Sequence, residues 1–125
     1  MTQVIRTNIS GSNQTAVAGS TATAFFNAWT NANGWVATVE LNITGVGVST
    51  EKSNGYYRRE VFKWTAGAAL PAAVGALVAN TEIEEDASWD AHIALTGNRF
   101  EVHTVGDAAE KVNWAWSGTM TFQKV

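Results

Sequence analysis

The side chains able to act in acid–base catalysis or metal binding are few in this sequence. It contains two histidines, His92 and His103, and no cysteine. Asp90 and His92 are two positions apart, so on a strand they share a face and could contact each other. Catalysis would also need a nucleophile, and a metal site a third ligand, and neither has a recognisable motif here. We therefore predict solvated strand residues, with no catalytic, metal-binding or cofactor-binding residue and no enzymatic activity.

The strongest charge run is acidic and consists of Glu82, Glu84, Glu85 and Asp86. Carboxylate oxygens are ligands that Ca²⁺ prefers, so a calcium site is one interpretation of the run. The run lacks the alternating Asp/Asn positions and the glycine of a recognised calcium loop. We favour a solvated connection in front of the next strand.

A small basic patch lies near the middle of the chain, where Arg58 and Arg59 are followed by Glu60 and Lys63. On a strand, Arg58 and Glu60 share one face, because side chains alternate between the two faces. Arg59 and Lys63 lie on the other face. Such a pattern favours a salt bridge, either to a neighbouring strand or between subunits.

Tryptophan is unusually frequent, with six residues among 125. Trp89 and Trp114 occupy inward positions of predicted strands and are assigned to the core. Trp29, Trp64 and Trp116 are harder to place inside a small core, and exposed aromatic side chains indicate a partner surface. With their neighbours they define a candidate interface: Trp29, Tyr56, Tyr57, Arg58, Arg59, Trp64 and Trp116. Protein and glycan both remain open as the partner.

Alternation of apolar and polar residues predicts two long strands that position these side chains. One covers residues 35–48 and the other residues 112–122. Trp35, Ala37, Val39, Leu41 and Ile43 take the inner face of the first, and the apolar residues Val112, Trp114, Trp116, Met120 and Phe122 share one face of the second. Gly118 interrupts the second pattern, which indicates a bulge or a close approach of two backbones.

Shorter strands, loops and turns are predicted in the rest of the chain. Strands are expected at residues 56–64, 89–95 and 100–105, with a polar loop at 49–55 and a tight turn at 96–99. Residues 16–28 are alanine-rich, but their threonines and valine favour a strand. Residues 66–79 could hold one helical turn or a strand around Leu77 and Val78.

About eight strands with regularly spaced turns predict an all-β fold, an antiparallel, jelly-roll-like β-sandwich. The length suits a single domain over residues 1–125, with residues 1–10 as an N-terminal arm or an edge strand. The formal charge of −3 argues against a nucleic-acid partner. The apolar runs are too short to span a membrane, and the N-terminus does not look like a secretory signal.

Four segments together resemble a known family. They are 55–64 (GYYRREVFKW), 85–91 (EDASWDA), 102–106 (VHTVG) and 112–116 (VNWAW). Their order is similar to a β module that recurs in tailed-bacteriophage structural proteins: tail-fibre, tail-spike and head-decoration proteins. The resemblance covers roughly residues 35–125 and includes no catalytic signature. Fibre proteins normally carry a long shaft or attachment domain first, and here only a short segment precedes the module.

The resemblance implies a virion protein that is made in the host cytoplasm and assembles as a homotrimer. The first hypothesis is a capsid decoration or cement subunit that docks on the major capsid protein. The alternative is a tail-fibre or receptor-binding module that docks on a tail protein and recognises host-surface glycan. A low share of charged residues, 15%, fits a surface that its own copies or other partners cover.

Overall fold

The computed structural model describes residues 4–26, 29, 34–75 and 81–124. Within these ranges all regular secondary structure is β-strand. The nine described strands are β1 (Val4–Thr15), β2 (Ser20–Phe26), β3 (Trp35–Gly47), β4 (Ser53–Trp64), β5 (Ala72–Ala73), β6 (Thr81–Glu84), β7 (Asp90–Thr96), β8 (Arg99–Val105) and β9 (Val112–Lys124). The described strands pair antiparallel throughout, which confirms the predicted all-β fold.

The larger sheet has six strands and is built around β3 and β9. Its order is β1-β9-β3-β4-β5, and β6 also pairs with β4. β3 and β9 pair along their whole length, from Trp35 opposite Lys124 to Gly47 opposite Val112. Partners in an antiparallel pair project to the same face, so the inward residues of both strands form one apolar surface. The predicted faces of both strands are confirmed.

The smaller sheet has three strands in the order β2-β8-β7 and packs its inner face on the larger one. Ile93, Phe100 and Val102 of this sheet belong to the same buried cluster as the apolar residues of β3 and β9. β1 pairs with β9 and β2 pairs with β8, so the two N-terminal strands lie beside the two C-terminal strands. The predicted β-sandwich is confirmed, with its strands divided six to three.

Two glycines create the space that the C-terminal tryptophans fill. Gly45 of β3 is the register partner of Trp114, and Gly11 of β1 is the partner of Trp116. A Cβ added at either glycine would lie 2.6 Å or 2.7 Å, respectively, from the facing indole ring. A cross-strand glycine therefore lets each wide ring lie flat against the neighbouring backbone. Close packing of this kind explains why both rings fit inside a small sandwich.

The N-terminal segment is an edge strand, one of the two predicted alternatives. β1 pairs with β9 from Val4 opposite Gln123 to Thr15 opposite Val112. A turn follows it, in which the Gly19 amide donates to the Ala16 carbonyl at 2.9 Å. For this reason the strand expected at residues 16–28 begins only at Ser20.

The loop before β4, the glycine in β9 and the segment after β4 differ in part from what the sequence predicts. The polar loop expected at residues 49–55 is shorter, because β4 already begins at Ser53. The interruption at Gly118 is a close approach, since a Cβ there would collide with the Glu40 carbonyl, and the register on both sides runs on unbroken. In the segment 66–79, the described part holds the short strand β5, and the strand expected around Leu77 and Val78 lies outside the described residues.

Candidate functional site

Most of the predicted interface lies inside the protein. The exposed fraction is 1% for Trp29, 3% for Tyr56, 2% for Arg58, 7% for Trp64 and 4% for Trp116. The expectation that three of the tryptophans stay outside the core is therefore wrong. Trp29 and Trp64 pack edge to face with ring centroids 5.5 Å apart and close one end of the sandwich. Tyr57 and Arg59 are the two predicted interface residues that keep accessible surface.

Arg58 connects the two sheets instead of forming an outer surface. Its Nε donates to the Ala91 carbonyl at 2.8 Å, and its Nη2 donates to Glu82 at 2.8 Å and to Asp90 at 3.3 Å. The side chain is 3% exposed, so it depends on these two carboxylates for charge compensation. The arginine stabilises the contact of β4 with β6 and β7 and is not available to a partner.

Tyr56 forms a second buried polar contact beside Arg58. Its hydroxyl donates to Glu84 Oε2 at 2.8 Å and accepts from the Asn54 amide at 2.9 Å. Burial is the main cause that raises the pKa of the Tyr56 phenol above its usual value. The hydroxyl therefore stays protonated and acts as a fixed hydrogen-bond donor within the protein.

Tyr57 and Arg59 lie on the outer face of the large sheet, where they share Glu40 as a partner. Arg59 Nε is 3.5 Å from Glu40 Oε1, and the Tyr57 hydroxyl donates to Glu40 Oε2 at 3.4 Å. Glu40 is opposite Arg59 in the β3–β4 register, so the predicted cross-strand salt bridge is confirmed. Both charges are about half exposed, and the contact holds the tyrosine ring on the sheet surface.

The two histidines meet on the outer face of the small sheet. They are directly opposite each other in the β7–β8 register, with ring centroids 5.3 Å apart. His92 Nδ1 lies 3.0 Å from Asp90 Oδ2, which confirms the predicted contact, and His103 Nε2 lies 3.2 Å from Glu101 Oε1. Hydrogen bonds from Thr96 and His103 hold the pKa of Glu101 below its usual range. Each ring is thus oriented by a carboxylate two residues away.

The acidic run has dispersed partners and does not form a common site. Glu82 binds Arg58, Glu84 accepts from Tyr56, and Glu85 accepts from the Ser53 amide. The Asp86 carboxylate accepts from the Ser88 hydroxyl and amide and from Lys52. Within the described ranges, no three His, Asp or Glu side chains are grouped so that they could hold a metal ion. The calcium interpretation therefore finds no site there.

The outer face of the large sheet carries a shallow trough that crosses four strands. One hollow of about 290 Å³ lies between β3, β4 and β6, and its side chains come from Asn42, Thr44, Tyr57, Thr81 and Ile83, with Gly55 at its floor. A second hollow of about 300 Å³ continues it over β9 and shares two residues, Asn42 and Thr44, with the first. Uncharged polar groups, one tyrosine ring and the apolar side chains of Ile83 and Ala115 line this trough.

Tyr57 is the trough side chain that the sequence predicts as part of an interface; the other side chains that line the trough were not predicted. Asn42, Thr44 and Gly55 come from two strands, and Ile83 comes from a third that follows much later in the chain. The register places Gly55 directly opposite Thr44 on one side and Ile83 on the other. A glycine inside a strand of otherwise large residues is the one local signal that could have indicated this position.

Comparison with known proteins identifies one structural similarity of this fold. The crystal structure of the Acinetobacter baumannii phage AM24 tailspike protein matches 95% of this chain, with a TM-score of 0.50 and 13% sequence identity. The chain spans about a quarter of that protein, 26% of its length. No protein-family model and no curated protein match the chain. At this identity the similarity shows a shared β-sandwich fold.

The structure also bears on membrane association. Among the described residues, no helix has the length and apolar character that crossing a bilayer requires.

Proposed function

We propose that this chain is a module of a bacteriophage tail protein and that it recognises glycan on the host surface. The observation that carries the proposal is the fold similarity to a phage tailspike over nearly the whole chain. The sequence resemblance to phage structural modules points to the same class of protein and rests on separate grounds. Of the two hypotheses from the sequence, the similarity to a tail protein favours the tail module over the capsid decoration subunit.

The outer trough of the large sheet supports recognition of glycan. Sugar rings present C–H groups that pack on the face of an aromatic ring, and their hydroxyls pair with amide and hydroxyl groups. Tyr57 offers the aromatic ring, and Asn42, Thr44 and Thr81 offer the polar groups around it. The site is shallow, and it combines apolar and polar groups as small-ligand sites do.

The proposed role is binding without catalysis, and the proposed assembly is a homotrimer attached to the tail. A binding module needs many copies close together, because several weak sites acting at once give high avidity. A trimer presents three copies of the trough to the same cell surface.

Immunogold electron microscopy of the virion that contains this protein tests the location. Antibodies against the purified chain should place gold particles on the tail. Gold distributed over the head would contradict the tail module and support a decoration subunit.

Glycan recognition is tested with the purified chain on intact host cells and on a glycan array. We expect saturable binding to host cells that extracted surface polysaccharide competes away. Binding that the polysaccharide leaves unchanged would show that the receptor is not a glycan.

A further inference from the structure

We propose that the trough is a binding site for an uncharged oligosaccharide, with Tyr57 as the stacking platform and Gly55 as the open floor. The inference rests on the proposed glycan recognition and specifies its site and its ligand class. The trough is defined by Asn42, Thr44, Gly55, Tyr57, Thr81 and Ile83, with Ala115 and Ser117 at its β9 end.

Gly55 is the first observation that supports a binding site in the trough, because neither its backbone conformation nor its packing requires a glycine. It is absent from the positive-φ positions Gly34, Gly67, Gly75 and Gly97. A Cβ added at Gly55 would have no heavy atom of the described residues within 4 Å, whereas at Gly45 it would collide with an indole ring. A glycine inside a strand destabilises it by roughly 0.5–1 kcal/mol relative to alanine. What this glycine does provide is open space beside Tyr57.

The shape of the trough is the second reason. Its two hollows meet at Asn42 and Thr44 of β3 and extend from Ser117 of β9 to Ile83 of β6. Four neighbouring strands at a spacing of about 4.8 Å give a distance of roughly 14 Å between the outermost two. A site of this length accommodates a chain of sugars better than a single ring.

The charges around the trough are the third reason and determine the ligand class. The side chains that line it carry no ionisable acid or base apart from the Tyr57 phenol. On this face Glu40 and Arg59 pair with each other at 3.5 Å, and Glu85, just past the β6 end of the trough, accepts from the Ser53 amide. Glu82 and Glu84 of β6 point inward to Arg58 and Tyr56. An acidic sugar would lose hydration here without gaining a cation of its own, so an uncharged glycan is favoured.

Ile83 adds a preference for an apolar substituent. Its side chain is 73% exposed and lies at the β6 end of the trough, opposite Gly55 in the register. Burying it requires an apolar group on the ligand, such as the methyl of an N-acetyl or a deoxy sugar. We expect such sugars to bind more tightly than their fully hydroxylated analogues.

The experiment measures affinity for neutral and acidic oligosaccharides on one array, using the full chain and four variants. Gly55→Val places a side chain on the floor of the trough, where its Cβ meets no described heavy atom within 4 Å, and Tyr57→Ala removes the platform. Tyr57→Phe keeps the ring, and Thr121→Val changes a residue on the same face outside the trough. We expect Gly55→Val and Tyr57→Ala to weaken binding of neutral sugars about tenfold or more, and the other two to change it less than about threefold.

Each outcome decides a separate question. Binding of acidic oligosaccharides alone would overturn the uncharged ligand class and leave glycan recognition standing. Binding of neutral sugars that all four variants retain would overturn the trough as the site. Absence of binding to every glycan would overturn the proposed glycan recognition itself. Circular dichroism and melting temperature of each variant identify any loss that is due to misfolding.

Discussion

At the scale of single residues, glycines decide how the aromatic side chains of this protein are placed. Gly45 and Gly11 lack a Cβ, and this leaves the space that the rings of Trp114 and Trp116 occupy in the core. Gly55 lies on the opposite face, where no atom of the described residues comes within 4 Å of the position that a Cβ would take. Glycine therefore makes room for a core side chain at Gly45 and Gly11 and, in our proposal, for a ligand at Gly55.

Replacing Gly45 with alanine should destabilise the protein, because the new methyl group would lie 2.6 Å from the Trp114 ring. Overpacking a core of this kind costs about 1–3 kcal/mol. Urea unfolding followed by tryptophan fluorescence measures the free energy of unfolding. Gly55→Ala is the matched control, and it should be neutral or stabilising by up to about 1 kcal/mol. Equal losses in both variants would contradict the packing role of Gly45.

At the scale of elements, β9 is the central strand on which the sandwich depends. It pairs with β1 on one side and with β3 on the other, and its inward residues include Trp114 and Met120. The Trp114 indole N–H donates to Thr15 Oγ1 at 3.1 Å, which ties β9 to the end of β1. Loss of side chains from this strand should therefore affect the whole core.

We expect Trp114→Ala to lower the free energy of unfolding by about 3–5 kcal/mol, as for other large core residues. The residue is 1% exposed and packs edge to face on Trp89, with ring centroids 6.0 Å apart. Ser117→Ala, on the exposed face of the same strand, should change stability by less than about 0.5 kcal/mol. A Trp114→Ala protein that unfolds like the wild type would contradict the central role of β9.

The loop between β6 and β7 should respond to acid through Asp86. Hydrogen bonds from Ser88, followed by the interaction with Lys52, lower the pKa of Asp86 to about 2. The folded state therefore binds this proton less tightly than the unfolded chain, and the stabilisation is present above the ordinary carboxyl pKa. It is lost as the pH falls from that range towards about 2.

The corresponding experiment compares the melting temperatures of the wild type and Asp86→Asn. The variant should melt lower than the wild type at neutral pH, and the difference should shrink as the pH falls to about 2. Glu101 and Glu110, whose pKa values are also lowered, are unchanged between the two proteins and do not affect the comparison. A difference that stays constant with pH would show that Asp86 does not act through its charge.

At the scale of the whole molecule, the sandwich has two outer faces of different chemistry. The large sheet presents the uncharged trough and the Glu40–Arg59 pair, and the small sheet presents His92 and His103 with their carboxylates. β1 forms one edge of the large sheet, and edge strands readily pair with another chain unless they are covered. This edge and the low share of charged residues are compatible with burial against further copies.

Sedimentation equilibrium of the purified chain tests the proposed homotrimer. We expect a trimer at tens of micromolar, because few surface charges oppose association and the β1 edge is open to pairing. Proline substitution at Asn8 of β1, which is exposed, should weaken the assembly if the edge takes part. A monomer at this concentration would contradict the homotrimer.

The sequence alone determined which face of β3 and which face of β9 is buried. Alternation has a period of two residues, so Trp35, Val39 and Ile43, and likewise Trp114 and Met120, could be assigned inward before any partner strand was known. The strands and the β-sandwich followed from this pattern and from the turn residues, as at Gly97 between β7 and β8. These are local properties of the chain.

Only the tertiary structure decided which aromatic residues are buried and where the candidate site lies. Trp116 enters the core because Gly11, more than a hundred residues earlier, is its register partner. Trp29 and Trp64 are buried because they pack on each other across the end of the sandwich. The trough forms where β9, β3, β4 and β6 become neighbours. Contacts between distant segments depend on strand order and register, which composition and alternation do not specify.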